Sequence, residues 1–258
     1  GDTYTNTGVR TTVPGNNDFT GYIGRIGSSE DGFLGINHEN TPGGVSILDL
    51  RYNSTVKLWT VDSSQAVDFY NTDLVTTTRN CSGGITPWGT FISSEETSNA
   101  GDANVDGYQD VGWQIEIDPV TRKVKEYGTP GKQEKLWALG RMNHENIAVA
   151  NDSITAYEGV DAGSGCLFKF IANNPTDLSS GTLYALKLDS GRSSNGEPLS
   201  PTGTWIVVPN TTQPDQNNSN SLAVSLGATT FNGIEDVEIG TIDGKIYFTA
   251  KGSNRVYS

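Results

Sequence analysis

The chain has 258 residues, a net charge of −13 and only 34% hydrophobic residues, yet 9% are aromatic and only 18% charged, which separates it from a disordered chain. Thirty-one glycines and many Ser, Thr and Asn residues make up the rest, and these favour turns and strand edges. Such a composition excludes a helical bundle or coiled coil. No apolar run approaches the roughly 18–20 residues of a membrane helix. A chain this acidic repels the phosphates of nucleic acids unless a basic patch or a metal intervenes.

In chain order, short β-rich runs predict strands at 45–50, 56–61, 90–94, 113–118, 124–127, 154–157, 167–171, 183–188, 204–208, 237–239 and 245–250. Gly, Pro, Asn and Asp clusters punctuate them. The stretches 132–138 and 173–180 are expected to hold a short helical turn at most. Many short strands imply a sandwich, barrel or propeller. The tetrapeptide Asn-His-Glu-Asn occurs at 37–40 and at 143–146, with Glu95-Glu96 between and Glu235-Asp236 beyond. The spacing from Glu39 to Glu96, Glu145 and Glu235 favours a propeller. With roughly 40–45 residues per blade, the chain predicts one all-β domain, 1–258, of about six antiparallel four-stranded blades.

Three kinds of site stand out. The stretch Asp102, Asn104, Asp106, Gly107, Asp110 places oxygens at positions 1, 3 and 5 and glycine at 6, like the start of a calcium loop. Position 12 is Trp113, so the loop reads either as a calcium site or as an Asx-rich turn capping itself. Around Cys81, a Gly83-Gly84 pair and a Pro87-Trp88-Gly89 corner lead into Glu95 and Glu96. A thiolate with a carboxylate suits iron or another transition metal, whereas carboxylates alone suit calcium or magnesium. Cys81 and Cys166 are the only cysteines, and a disulfide between them is the other reading. Finally, Glu39, Glu145, Glu158, Glu235 and Asp236 sit at strand edges. Inner strands aimed at one channel would bring such carboxylates together, and cations would be needed to offset their repulsion.

The segment NCSGGITPWGTFISSEE at 80–96 closely resembles the signature of PhoX-type bacterial alkaline phosphatases. GRMNHENIAVA at 140–150 resembles their second signature, and GCLFKFIANNPTDLSSGTLYALKLD at 165–189 the stretch after it. NHEN at 37–40 and FNGIEDVEIG at 231–240 are similar to outer elements of the family. The resemblance implies a six-bladed propeller holding an iron–calcium cluster, exported from the cytoplasm and hydrolysing phosphate monoesters. It implies Cys81, Glu96 and Glu145 as iron ligands at the catalytic centre, Glu235 or Asp236 as a calcium ligand, and Glu39 and Glu158 as weaker carry-overs. Ser94 stands where relatives often carry a second cysteine. Arg141 and Arg255 are the basic residues expected near the motifs.

Two functions follow. One is a secreted or periplasmic phosphatase using calcium and iron. The other is a non-catalytic, calcium-stabilised extracellular propeller that serves in a structure or in self-assembly. A start at Gly1-Asp2-Thr3 without methionine is what a processed exported chain would show.

Overall fold

The computed structural model describes residues 15–258, together with the backbone of a short antiparallel hairpin, β1 (Asp2–Tyr4) and β2 (Arg10–Thr12). Four antiparallel sheets follow in chain order. The first is β3 (Asn17–Gly24), β4 (Asp31–His38), β5 (Gly44–Asn53) and β6 (Leu58–Ala66). The second is β7 (Asn80–Ile85), β8 (Phe91–Glu95), β9 (Gln114–Asp118) and β10 (Lys123–Val124). The third is β11 (His144–Val149), β12 (Thr155–Val160), β13 (Gly165–Asn174), β14 (Asp177–Leu188) and β15 (Gly203–Val208). After two short helices, α1 (Gln213–Gln216) and α2 (Ser219–Ser225), β16 (Thr230–Phe231) pairs with the start of β13. The last sheet is β17 (Ile234–Ile239), β18 (Ile246–Ala250) and β19 (Arg255–Tyr257).

Each sheet is a meander, and the first strands of successive sheets are neighbours: β3 lies against β7, β7 against β11, and β11 against β17. Hydrophobic cores fill the gaps between sheets. Phe33, Val45, Ile47, Phe91, Ile115 and Ile117 join the first sheet to the second. Ile92, Ile147, Ala156, Phe168 and Phe170 join the second to the third. Leu167, Ile234, Val237 and Phe248 join the third to the fourth. Adjacent residues therefore face different cores, as with Phe91 and Ile92 or Leu167 and Phe168, because successive side chains of a strand point to opposite faces.

The all-β antiparallel expectation holds. The six blades do not emerge: the described residues form four meanders and the hairpin. The blade length is the reason. The tetrapeptide at 37–40 closes β4, whereas the one at 143–146 opens β11, so the two copies are not structural equivalents. The positions that are equivalent lie 63 or more residues apart along the first strands.

The expected helical turn at 173–180 is instead the hairpin joining β13 and β14, with Asn174 paired to Asp177. In 132–138 only the start of a 3-10 turn, Trp137–Leu139, is helical. The helices α1 and α2 were not foreseen; both are short, α1 is polar and capped by Thr212 accepting from the Asp215 amide, and α2 turns Ala223 and Leu222 to the core.

Candidate metal centre

The site is built from one recurring piece of backbone. The second residue of each first strand is Asp18 in β3, Cys81 in β7, Glu145 in β11 and Glu235 in β17. In all four strands the pairing register shifts at that point, between 17 and 20, 80 and 83, 144 and 147, and 234 and 237. A bulge there turns the side chain out of the normal alternation. The residue just after each second strand is Glu39, Glu96, Asp161 and Lys251. Its amide donates to the carbonyl of the residue just before the first strand: Glu39 to Asn16, Glu96 to Arg79, Asp161 to Asn143, and Lys251 to Gly233. Eight side chains are thus delivered to one end of the first strands by the same device.

The donors converge in three overlapping groups, Asp18–Glu39–Cys81, Cys81–Glu96–Glu145 and Glu145–Asp161–Glu235, each with ligand atoms within 4.8 Å of one another. The Cys81 Sγ lies 3.2 Å from Glu145 Oε1 and 3.6 Å from Asp18 Oδ2. Among the described residues, two cations border the ring. Arg79 Nη2 donates to Glu39 Oε1 at 2.6 Å and also pairs with the Glu96 carboxylate. Lys251 Nζ lies 2.7 Å from Asp161 Oδ2 and 2.5 Å from Glu235 Oε1.

Burial raises three of these acids, Glu145, Cys81 and Glu96. The Glu145 carboxyl is pushed up to about 8, first by burial and then by Glu235, Glu96 and Asp18, with the Cys81 hydrogen bond opposing. Burial, with Glu145 beside it, pushes the Cys81 thiol up as well. Glu96 is raised by burial despite Arg79. Two ionised carboxylates about 4.8 Å apart repel by roughly 3–4 kcal/mol at an effective dielectric constant near 20. Ionised together, six carboxylates and a thiolate exceed what Arg79 and Lys251 offset. A thiol flanked by hard oxygen donors fits a transition metal beside an oxygen-seeking cation such as calcium.

Buried neighbours hold these donors in place. Glu95, fully buried, accepts from the amides of Gly112 and Trp113, the Thr77 hydroxyl, and the Lys135 ammonium at 2.8 Å. His144 places Nε2 at 3.0 Å from the Gly140 carbonyl and Nδ1 at 3.2 Å from Glu158. His38 lies between Asn17 and Ser46, and burial lowers it to about 4. The segment 80–96 is one hairpin whose open ends carry Cys81 and Glu96 and whose turn carries Pro87-Trp88-Gly89. Its glycine pair is required by close approach: a Cβ would sit 2.1 Å from the Ile92 carbonyl oxygen at Gly83 and 2.3 Å from that of Ile147 at Gly84.

Of the residues singled out in sequence, Cys81, Glu96, Glu145, Glu235 and Glu39 are brought together. Asp236 is exposed and falls in none of the three groups, although Asp18 contributes to raising its carboxyl after burial. Glu158 points inward, to His144 and Gln114, and acts behind the ring. The acidic loop lies elsewhere. Asp102 accepts from the amides of Asp106 and Gly107, Asp110 from Ala103, and Asn104 donates to Asp106. Its carboxylates form no group of three ligand atoms within 4.8 Å. Cys81 and Cys166 are both free and buried, so no disulfide joins them.

Asp18, Asp161, Arg79 and Lys251 were missed. Arg79 directly precedes the 80–96 motif and could have been read from that adjacency. The two arginines expected near the site are used otherwise: Arg141 donates to the carbonyls of Val111 and Asn99, and Arg255 pairs with Glu197.

A family model described as alkaline phosphatase PhoX matches residues 60–256. The chain belongs to the PhoX alkaline phosphatase family. Among solved structures it is similar to Pseudomonas fluorescens PhoX in complex with vanadate, a transition state analogue, with a TM-score of 0.69 and 20% identity. That similarity covers 91% of this chain but 58% of the other, so the chain spans little more than half the length of that relative. An auxiliary nutrient binding protein from Bacteroides thetaiotaomicron aligns with a TM-score of 0.34 and 11% identity over 96% of this chain and 60% of that one. No curated protein sequence matches. The PhoX-like fold agrees with the resemblance drawn from residues 80–96 and 140–150.

Proposed function

We propose that the chain carries the metal centre of a phosphatase that hydrolyses phosphate monoesters, with iron held by Cys81, Glu96 and Glu145 and calcium by Asp18 and Glu39. Family membership supports the phosphatase reading, and the relative's complex with vanadate, named as a transition state analogue, supports a phosphoryl-transfer site in that protein. The observation that carries the proposal is that Cys81 belongs to two of the three donor groups at once. It is the one soft donor, and it sits where a transition metal and a hard cation would share a ligand.

When bound, the metal ions supply Lewis-acid neutralisation of the phosphoryl oxygens, the largest need in phosphoryl transfer. The chain's own residues prepare for this. Arg79 ties Glu39 of the first sheet to Glu96 of the second and so fixes the spacing of the two Cys81 groups. At neutral pH, Glu145 and Cys81 keep their protons in the metal-free protein, so metal uptake must release them. Glu95, held by Lys135 and two amides, keeps the end of β8 fixed beside Glu96.

The propeller belongs to this reading too. Four meanders packed first strand to first strand are the arrangement of propeller blades, and the single domain over 1–258 is proposed on the continuous run of cores between them. We place the protein outside the cytoplasm, secreted or periplasmic, where calcium is abundant enough to fill weak oxygen-ligand sites; recovery in a cytoplasmic fraction of its source cells would contradict that. Among the described residues no helix is long and apolar enough to cross a membrane.

Turnover tests the function. Chelator-stripped protein should hydrolyse a chromogenic phosphate monoester only after iron and calcium are returned. Metal-loaded protein with no turnover would overturn the catalytic reading, and calcium uptake without iron would favour the scaffold alternative.

A further inference from the structure

The fourfold backbone device is not filled evenly. After the second strand the first three sheets place Glu39, Glu96 and Asp161, and the fourth places Lys251. The backbone is unchanged, since the Lys251 amide donates to Gly233 at 2.8 Å as the Glu39 amide donates to Asn16 at 2.8 Å. Only the sign of the side chain is reversed. We propose that Lys251 is a tethered cation occupying the cation seat of the Glu145–Asp161–Glu235 group, so that this chain holds one divalent oxygen-seeking ion fewer than its repeated pattern would otherwise bind there.

Two observations carry this. The ammonium lies 2.7 Å from Asp161 of the third sheet and 2.5 Å from Glu235 of the fourth, bridging the two carboxylates that a calcium ion would bridge. The neighbouring backbone is cut to fit the lysine stem. Gly233 shares its left-handed backbone with Asn16 and Arg79, so what differs is space: a Cβ there would meet Lys251 Cγ at 2.8 Å and Asp161 Oδ1 at 2.9 Å. The corresponding residues of the other sheets, Asn16, Arg79 and Asn143, all carry side chains. Both carboxylates push the Lys251 ammonium above its ordinary range.

The inference rests on the ring being a cation site, and calcium binding separates the two. Equilibrium dialysis of chelator-stripped protein against calcium gives the number of ions per chain. Lys251→Glu should bind one more calcium than the wild type. Adding Asp161→Asn to that variant should remove the extra ion. Lys251→Gln, the milder change, should gain the same ion more weakly, and it carries the comparison if Lys251→Glu does not fold. Calcium bound equally by wild type and both variants overturns the inference and leaves the metal centre standing. An extra ion that survives Asp161→Asn also overturns it. No calcium in any of them overturns both, whereas an ion gained by the variants over a wild type that binds none supports the inference by itself.

Discussion

Two acidic regions of this chain look alike in sequence and differ in what their oxygens do. In the loop containing Asp102, Asp106 and Asp110, each carboxylate accepts from nearby backbone amides and already has its partners. In the ring around Cys81, carboxylates from four sheets face one another, and among the described residues Arg79 and Lys251 counter them. Counting acids does not find a cation site. What finds it is carboxylates that the fold aims at each other, with some of them, such as Glu145, taken largely out of water. In the ring, Glu145 is raised by burial and by the like charges of Glu235, Glu96 and Asp18, which is the cost that a bound cation removes.

The sharpest break of that contrast is Cys81→Ser. Removing the one soft donor should lower iron affinity by at least about 100-fold, since outer partners of metal ligands alone are worth 10–100-fold, as measured by iron retained after gel filtration. An unchanged iron content would place the metal elsewhere. Lys135→Met strips the buried partner from Glu95, and removing one member of a buried pair costs about 3–5 kcal/mol. Urea denaturation should show this loss, and a variant as stable as wild type would mean that Glu95 is held by its amides alone.

A third test uses pH. The folded Glu145 carboxyl titrates near 8, above its ordinary 4.5. Between these values the folded metal-free protein keeps a proton that the unfolded chain has lost. Stability from this group is therefore present below about pH 4.5 and is lost as pH rises through 8. The urea midpoint of stripped protein should fall from pH 5 to pH 8, and Glu145→Gln should flatten the fall. Metal affinity should run the opposite way and rise with pH, because binding expels protons. The smallest effect belongs to the loop. Asp106→Ala should leave iron and calcium content unchanged and cost about 1 kcal/mol of stability, in keeping with a lost local cap. A lost calcium ion would erase the contrast between the two regions.

The sequence shows the strands with a clear hydrophobic pattern well and the polar, glycine-containing ones poorly. Strands such as β9 and β15 are rich in Ile, Val and Trp and stand out. Of the eight strands that deliver side chains to the ring, β8, β12, β17 and β18 overlap predicted runs, whereas β3, β4, β7 and β11 were absent from the predicted set. Segment β7 reads Asn-Cys-Ser-Gly-Gly-Ile, whose glycines serve close packing and whose polar end lines the ring. No hydrophobic alternation survives there to be counted. Cys81, Glu96 and Glu145 were legible because the motifs at 80–96 and 140–150 are specific. Asp18 and Asp161 were not, since equivalence between sheets lies in the bulge and one amide–carbonyl bond rather than in residue type. The repeated Asn-His-Glu-Asn pointed to a shorter period than the real one for the same reason.

X-ray absorption at the iron edge tests the central claim most directly. Protein reconstituted with iron and calcium should show sulfur in the iron shell, and Cys81→Ser should lose it. Iron coordinated by oxygen and nitrogen alone in the wild type, or no iron taken up, would contradict the account.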